Sequence, residues 1–154
     1  MGHGRRCSCG GALRSSTERV AVALARSRVE VAVDVPAWRC GGCGGVHVDP
    51  PILRRCHLAA GCRFADAGVG TGEAVRHMRK ALGLRAADLA RLLDVTPETI
   101  SHWETDRCVP NRSAFVALAA MVQDALDDRT ITRDRLDALA RERAWPRTLV
   151  VRLR

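Results

Sequence analysis

Residues Val69 to Arg112 read VGTGEAVRHMRKALGLRAADLARLLDVTPETISHWETDRCVPNR, and the helix signals along this run agree with one another. Thr71 is placed to cap a first helix running to about Leu82, with Val75, Met78, Ala81 and Leu82 at core spacing. Gly83 follows where a helix end calls for a left-handed backbone. A second helix is expected over roughly Arg85 to Leu93. It buries Leu89, Leu92 and Leu93, and its small Ala90 lets the next helix cross closely. Asp94 and Val95 make the turn. Thr96 caps a third helix, and Pro97 occupies its first turn, where a missing N–H costs nothing. Ile100 and Trp103 then point inward, leaving Glu98, Ser101, His102 and Thr105 outward on one face. A fourth helix, about Arg112 to Asp127, carries Phe115, Leu118, Ala119, Val122 and Leu126 at core spacing. A short helix, a tight turn and a second helix with a polar outer face make a helix-turn-helix, a unit shaped to enter the major groove of DNA.

The run D-L-A-R-L-L-D-V-T-P-E-T-I-S-H-W-E resembles the helix-turn-helix of the phage-repressor (XRE or Cro-like) family. The resemblance implies base reading from the first turn of the third helix and from one turn later. Those positions are Glu98 and His102, with Thr96, Pro97, Thr99 and Ser101 beside them. Their i,i+4 spacing puts Glu98 and His102 on one face. Glu accepts from cytosine N4 and His donates to guanine N7 or O6, each good contact discriminating by roughly 1–3 kcal/mol. Glu98 also has a purely structural reading, since a carboxylate in a first helical turn is favoured by the helix dipole. The chain departs from the family pattern at Arg85 and Ala86, which replace the usual Ser/Thr-Gln pair, so Arg85 is the expected phosphate contact there. Asp106 stands where Gly often follows the third helix.

Charge supports a polyanionic partner: the chain carries a formal +8. Residues 71–112 hold seven Arg or Lys against six Asp or Glu, whereas residues 1–70 hold ten against five. The reading unit alone is therefore nearly neutral, and a homodimer, which doubles the phosphate contacts, is expected. Arg6, Arg76, Arg79, Lys80, Arg107 and Arg112 are the candidate phosphate contacts, each also readable as solvated surface.

The first 48 residues carry a second motif. Cys7-Ser8-Cys9-Gly10-Gly11 precedes two alternating runs, Glu18 to Leu24 and Val29 to Val35. Val20, Val22 and Leu24 share one face; Val29, Val31, Val33 and Val35 share another. With Arg26-Ser27-Arg28 between the arms, this is a hairpin signature. Cys40-Gly41-Gly42-Cys43-Gly44 follows, a C-x-x-C-G knuckle that points two thiolates at one ion. Two knuckles joined by a hairpin make a zinc ribbon, with Cys7, Cys9, Cys40 and Cys43 as ligands and metal binding supplying much of the folding energy. Cys7 and Cys9 have C-x-C spacing, which leaves three readings: a tightened knuckle using both, His3 replacing one of them, or a degenerate site. Four thiolates leave no position for a catalytic water. Seven cysteines in short pairs fit metal binding in a reducing cytoplasm better than a disulfide framework.

The run VDVPAWRCGGCGGVHVDP is similar to the C-terminal half of the YgiT-type zinc finger. A YgiT-type finger ahead of a Cro-like helix-turn-helix resembles the MqsA family of antitoxins, over about residues 7–125. The resemblance implies a zinc domain that neutralises a small ribonuclease toxin and a dimeric helix-turn-helix domain that represses the operon.

Between these units, Asp49 is placed to cap a short helix from Pro50-Pro51 to about Ala60, with residues 61–70, three of them glycine, read as a linker. Cys56, His57 and Cys62 lie there; a second metal site would need a fourth ligand that the nearby sequence does not offer, so they read as packing or exposed thiols, and Cys108, after the third helix, reads as structural or incidental. A last helix capped at Thr132 presents Leu136, Leu139 and Ala140 on one face, for packing or for a dimer contact. The ending Trp145 to Arg154 alternates after its proline like an edge strand. No apolar run approaches 20 residues, so no membrane span is expected. No hydrophobic stretch backs the early arginines as a secretion signal would require.

No Ser-His-Asp set, phosphate-cradling loop or inward carboxylate pair suggests an enzyme; Glu73, Asp88 and Glu104 read as caps and surface charge. Absent tyrosine and few aromatics disfavour base-stacking recognition of single strands. The expected architecture is α+β: a zinc ribbon over 1–48, a linker with a short helix over 49–70, a helix-turn-helix domain over 71–128 and a C-terminal helix and tail over 129–154. The expected role is a cytoplasmic DNA-binding regulator acting on an operator and paired with a toxin. The alternative is a stand-alone repressor whose ribbon is structural or redox-sensing.

Overall fold

The structure is a computed structural model that describes residues 6–141, 150 and 151. An antiparallel hairpin, β1 (Leu13–Leu24) and β2 (Val29–Cys40), is joined at β2 by the short β3 (Val46–His47). Helices α1 (Pro50–Asp66), α2 (Gly72–Ala81), α3 (Ala86–Leu92), α4 (Pro97–Glu104), α5 (Arg112–Leu126) and α6 (Ile131–Leu139) follow. The result is α+β, as the two periodicities require.

The hairpin is longer than its alternating apolar run. Pairing continues in register from Leu24↔Val29 to Leu13↔Cys40, carrying both strands from the turn to the cysteine knuckles. Pro36 interrupts the apolar pattern without ending the strand. It pairs with Thr17 where β2 has no neighbour on its other side, so its missing N–H breaks no second ladder. The pairs Val20↔Val33, Val22↔Val31 and Leu24↔Val29 also merge the two valine sets into one face. That face packs on Cys56, Ala60, Phe64 and Ala74 to make one core cluster.

Helix α1 corrects the linker reading. It runs through Gly61 to Asp66, and Gly61 is buried. A Cβ there would meet Met78 and Val122 side chains at 3.2 Å, so the glycine marks close helix packing rather than a flexible connection. Cys56, Ala60 and Phe64, each four residues apart, face the hairpin, whereas Leu58 and Cys62 enter the second, all-helical core with Val75, Met78, Leu89, Ile100, Trp103, Leu118 and Val122. The helix is therefore apolar on two sides and shows no single stripe. Asp49 takes its N-cap position, but its carboxylate accepts the Trp38 indole N–H instead of capping the helix.

The four helices expected between Thr71 and Asp127 form, and the caps expected at Thr71 and Thr96 are made. Thr71 accepts from the Ala74 N–H, Thr96 from Thr99, and Gly83 turns at φ +71°. Helix α6 begins two residues earlier than expected, with Thr130 rather than Thr132 at its N-cap position; the Thr132 N–H is taken by the Asp124 carboxylate at 2.7 Å. Leu136 packs against the helical core, while Leu139 and Ala140 remain exposed. The proposed edge strand lies largely outside the described residues; Val150 and Val151, which are described, are exposed and belong to no strand. No helix among the described residues is long and apolar enough to cross a membrane.

Candidate metal centre and nucleic-acid interface

The two knuckles close on each other at the far end of the hairpin. In the first, the Cys7 N–H donates to Gly11 and the Gly10 N–H returns to the Cys7 carbonyl, with Gly10 at φ +86°. In the second, Gly44 donates to Cys40 and Cys40 to Gly45. The sulfurs of Cys7, Cys9, Cys40 and Cys43 all come within 4.8 Å of one another, with Cys7 and Cys43 at 3.8 Å and Cys9 and Cys40 at 3.4 Å. All four are free thiols. The C-x-C spacing thus does not keep either cysteine from the cluster, which is the tightened-knuckle arrangement; His3 lies outside the described residues.

The surroundings fit a metal ion. A Cβ at Gly11 would stand 2.6 Å from the Cys40 sulfur, so only glycine leaves the sulfurs room to converge there. Hydrogen bonds from the Cys9 backbone and from His47 pull the Cys7 thiol down to about 6. The Gly11 N–H lowers Cys9, but hydrogen bonds shared with Cys40, Cys43 and Cys7 outweigh it and push that thiol up to about 11. Cys40 is lowered by the backbone N–H groups of Cys43 and Gly42. Four convergent sulfurs with some already inclined to the thiolate form can hold a tetrahedral, thiophilic ion. His47 went unnoticed in the sequence, although its Nε2 lies 3.3 Å from the Cys7 sulfur. Cys56 and Cys62 serve opposite faces of α1 and share no site; burial raises both thiols. Cys108 is exposed.

The outer face of α4 has the composition expected. Glu98, Ser101, His102 and Thr105 are exposed, and Ile100 and Trp103 are buried beneath them. Thr96 and Thr99 are occupied in capping, their hydroxyls 3.1 Å apart. Glu98 lies below the usual carboxylate range, held first by its own backbone N–H and then by the Thr96 hydroxyl, with the nearby His102 adding to the effect. Pro97 fills the first turn. Arg107 is exposed where the chain leaves α4, its backbone N–H closing on the His102 carbonyl at 2.9 Å. Arg85 is exposed at the start of α3 but bridges to Asp88 at 3.1 Å.

Two charged residues are not the surface groups they were expected to be. Glu104 is buried and pairs with Arg79 at 2.5 and 3.0 Å, while Arg79 also donates to the Leu84 carbonyl. Arg79 is thereby removed from the phosphate contacts and holds α2 to α4 instead. At the same end of α4, Asp106 adopts φ +57° and accepts the Gly72 N–H at 2.7 Å. Its other oxygen pairs with Arg26 from the hairpin turn at 3.1 Å, and Arg26 also donates to the Glu104 carbonyl. The residue that stands in place of glycine therefore ties α2, α4 and the hairpin together.

Residues 71–129 match the family model of a helix-turn-helix domain. No curated protein matches the chain. The protein accordingly pairs a helix-turn-helix domain, the DNA-binding unit of transcriptional regulators, with an N-terminal cluster of four cysteines able to hold a metal ion.

Proposed function

We propose that this protein is a homodimeric, sequence-specific transcriptional regulator that acts by binding and not by catalysis. Glu98 and His102 read base edges in two half-sites about 34 Å apart. Ser101 lies beside them, Thr96 and Pro97 set the helix entry, Thr99 supports the cap, and Arg85 and Arg107 meet flanking phosphates. The observation that carries this reading is the exposed polar face of α4 set on the buried Ile100 and Trp103. The ion at Cys7, Cys9, Cys40 and Cys43 is zinc, in a structural role, since four thiolates leave no open coordination position.

The finer reading is that of an antitoxin: the zinc ribbon captures a small toxin while the helix-turn-helix represses the shared operon. Its support is the order of motifs, a YgiT-like knuckle ahead of a Cro-like reader. Co-expression with the product of the adjacent small reading frame tests it. Relief of that product's growth arrest, and co-purification of the two proteins, support the antitoxin. An adjacent product that is harmless or is not retained leaves a stand-alone repressor.

A further inference from the structure

The leading sulfurs of the two knuckles, Cys7 and Cys40, are not solvated equally, while Cys9 takes its own backbone donor from Gly11. In the Cys40 knuckle, the backbone N–H groups of Cys43 and Gly42 both bear on the Cys40 sulfur, the latter at 3.4 Å. The Cys7-Ser8-Cys9 turn is one residue shorter and brings the Cys9 backbone alone to Cys7. A thiolate bound to a cation still carries excess negative charge, and hydrogen-bond donors around it set how strongly it binds.

The missing donor comes from β3. His47 pairs with Trp38 in register, two residues before Cys40, and its Nε2 reaches to 3.3 Å from the Cys7 sulfur. The mutually close donor set consists of the four sulfurs without the imidazole, so His47 approaches one ligand from outside the set. Gly45 leaves room for the Cys43 sulfur, from which a Cβ there would stand only 3.3 Å, whereas the same Cβ would make ordinary contact with Nε2 at 3.8 Å.

We infer that His47 is a positioning residue of the metal centre, whose Nε2–H donates to the Cys7 thiolate in place of the backbone amide that the C-x-C knuckle lacks. This deepens the metal-site reading and rests on it.

The full chain loaded with Co(II), and separately with Zn(II) against a chromophoric chelator, tests the inference. His47→Ala should weaken Zn(II) binding by about 10- to 100-fold. It should keep the tetrahedral four-thiolate ligand-field bands of Co(II) while moving the sulfur-to-cobalt charge-transfer band to lower energy. His47→Gln, whose amide N–H can donate from a similar place, should restore both quantities toward wild type. An His47→Ala protein with wild-type affinity and an unmoved charge-transfer band overturns the inference and leaves the metal site intact. Changed ligand-field bands overturn it in favour of His47 as a direct ligand. Failure of the wild-type chain to bind either ion overturns the metal reading itself.

Discussion

The Glu73 carboxylate, near the start of α2, accepts the backbone N–H of Ser27 in the hairpin turn at 3.0 Å. The adjacent Arg26 N–H reaches the other carboxylate oxygen at 3.2 Å, and the Ser27 hydroxyl reaches the first at 3.1 Å. A side chain at a helix N-terminus thus caps the turn of a hairpin 46 residues earlier, and the cysteine-bearing strands are fastened to the helix-turn-helix domain. Burial raises the Glu73 carboxyl, but the Ser27 and Arg26 N–H groups outweigh it and leave the group below its usual value.

This anchor should be visible as pH-dependent stability. Hydrogen bonds to a charged group contribute about 1.5–3 kcal/mol, so Glu73→Gln should destabilise the fold by about that amount at pH 7. Because the folded-state pKa is depressed, the contribution is complete above the ordinary Glu value of about 4.3 and is lost as pH falls through the folded value. Urea titrations at pH 7 and pH 3.5 should therefore show the gap between wild type and variant narrowing in acid. A gap that stays constant would place the interaction elsewhere.

Gly72 should tolerate no side chain. Its Cβ would lie 1.9 Å from the Trp103 carbonyl oxygen and 2.7 Å from Asp106, the group that binds its own N–H. Gly72→Ala must push α2 off the end of α4, at a cost of about 3 kcal/mol or more. A melting temperature close to wild type would contradict the close approach.

The Arg79–Glu104 pair is asymmetric in its consequences. Both side chains are about 90% buried, at 12% and 10% exposure. Glu104→Ala strands a buried guanidinium and should cost about 3–5 kcal/mol. The double replacement Arg79→Leu with Glu104→Leu should recover much of this, because no buried charge is left unpaired; Arg76, which lies 3.9 Å from Glu104, is solvent-exposed. Equilibrium unfolding of both variants checks the sign; equal losses would mean that packing, not charge, decides.

Much of the helical half is legible in the sequence because its information is local. Caps at Thr71 and Thr96, the left-handed Gly83 and the buried Ile100 and Trp103 each follow from residues within a turn or two. What escaped depends on distant partners. Glu104 looks like surface charge until Arg79 is brought to it from 25 residues away. Gly61 looks like a linker until Met78 and Val122 arrive on either side. The convergence of Cys7, Cys9, Cys40 and Cys43 could be read from spacing, but His47 could not, since its place depends on β3 pairing with β2.

Metal removal should separate the two halves in stability. The ribbon end is held chiefly by the knuckles, whereas the turn end is held by Glu73 and by packing on α1. We expect one zinc per chain by elemental analysis. Chelation, or Cys40→Ser, should expose amides near residues 7–15 and 38–47 to hydrogen exchange while the amides of α2 to α5 stay protected. Uniform loss of protection would contradict two separately supported ends.

The outer face of α4 carries the proposed DNA recognition, and an operator-selection experiment followed by mobility shifts on the full chain tests it most directly. Replacing Glu98 and His102 together with Ala should remove the preference for the selected sequence and leave weak, strongly salt-dependent binding, because phosphate contacts remain while base contacts are lost. A double variant that still prefers the selected operator as wild type does would contradict the assignment of this face as the reader.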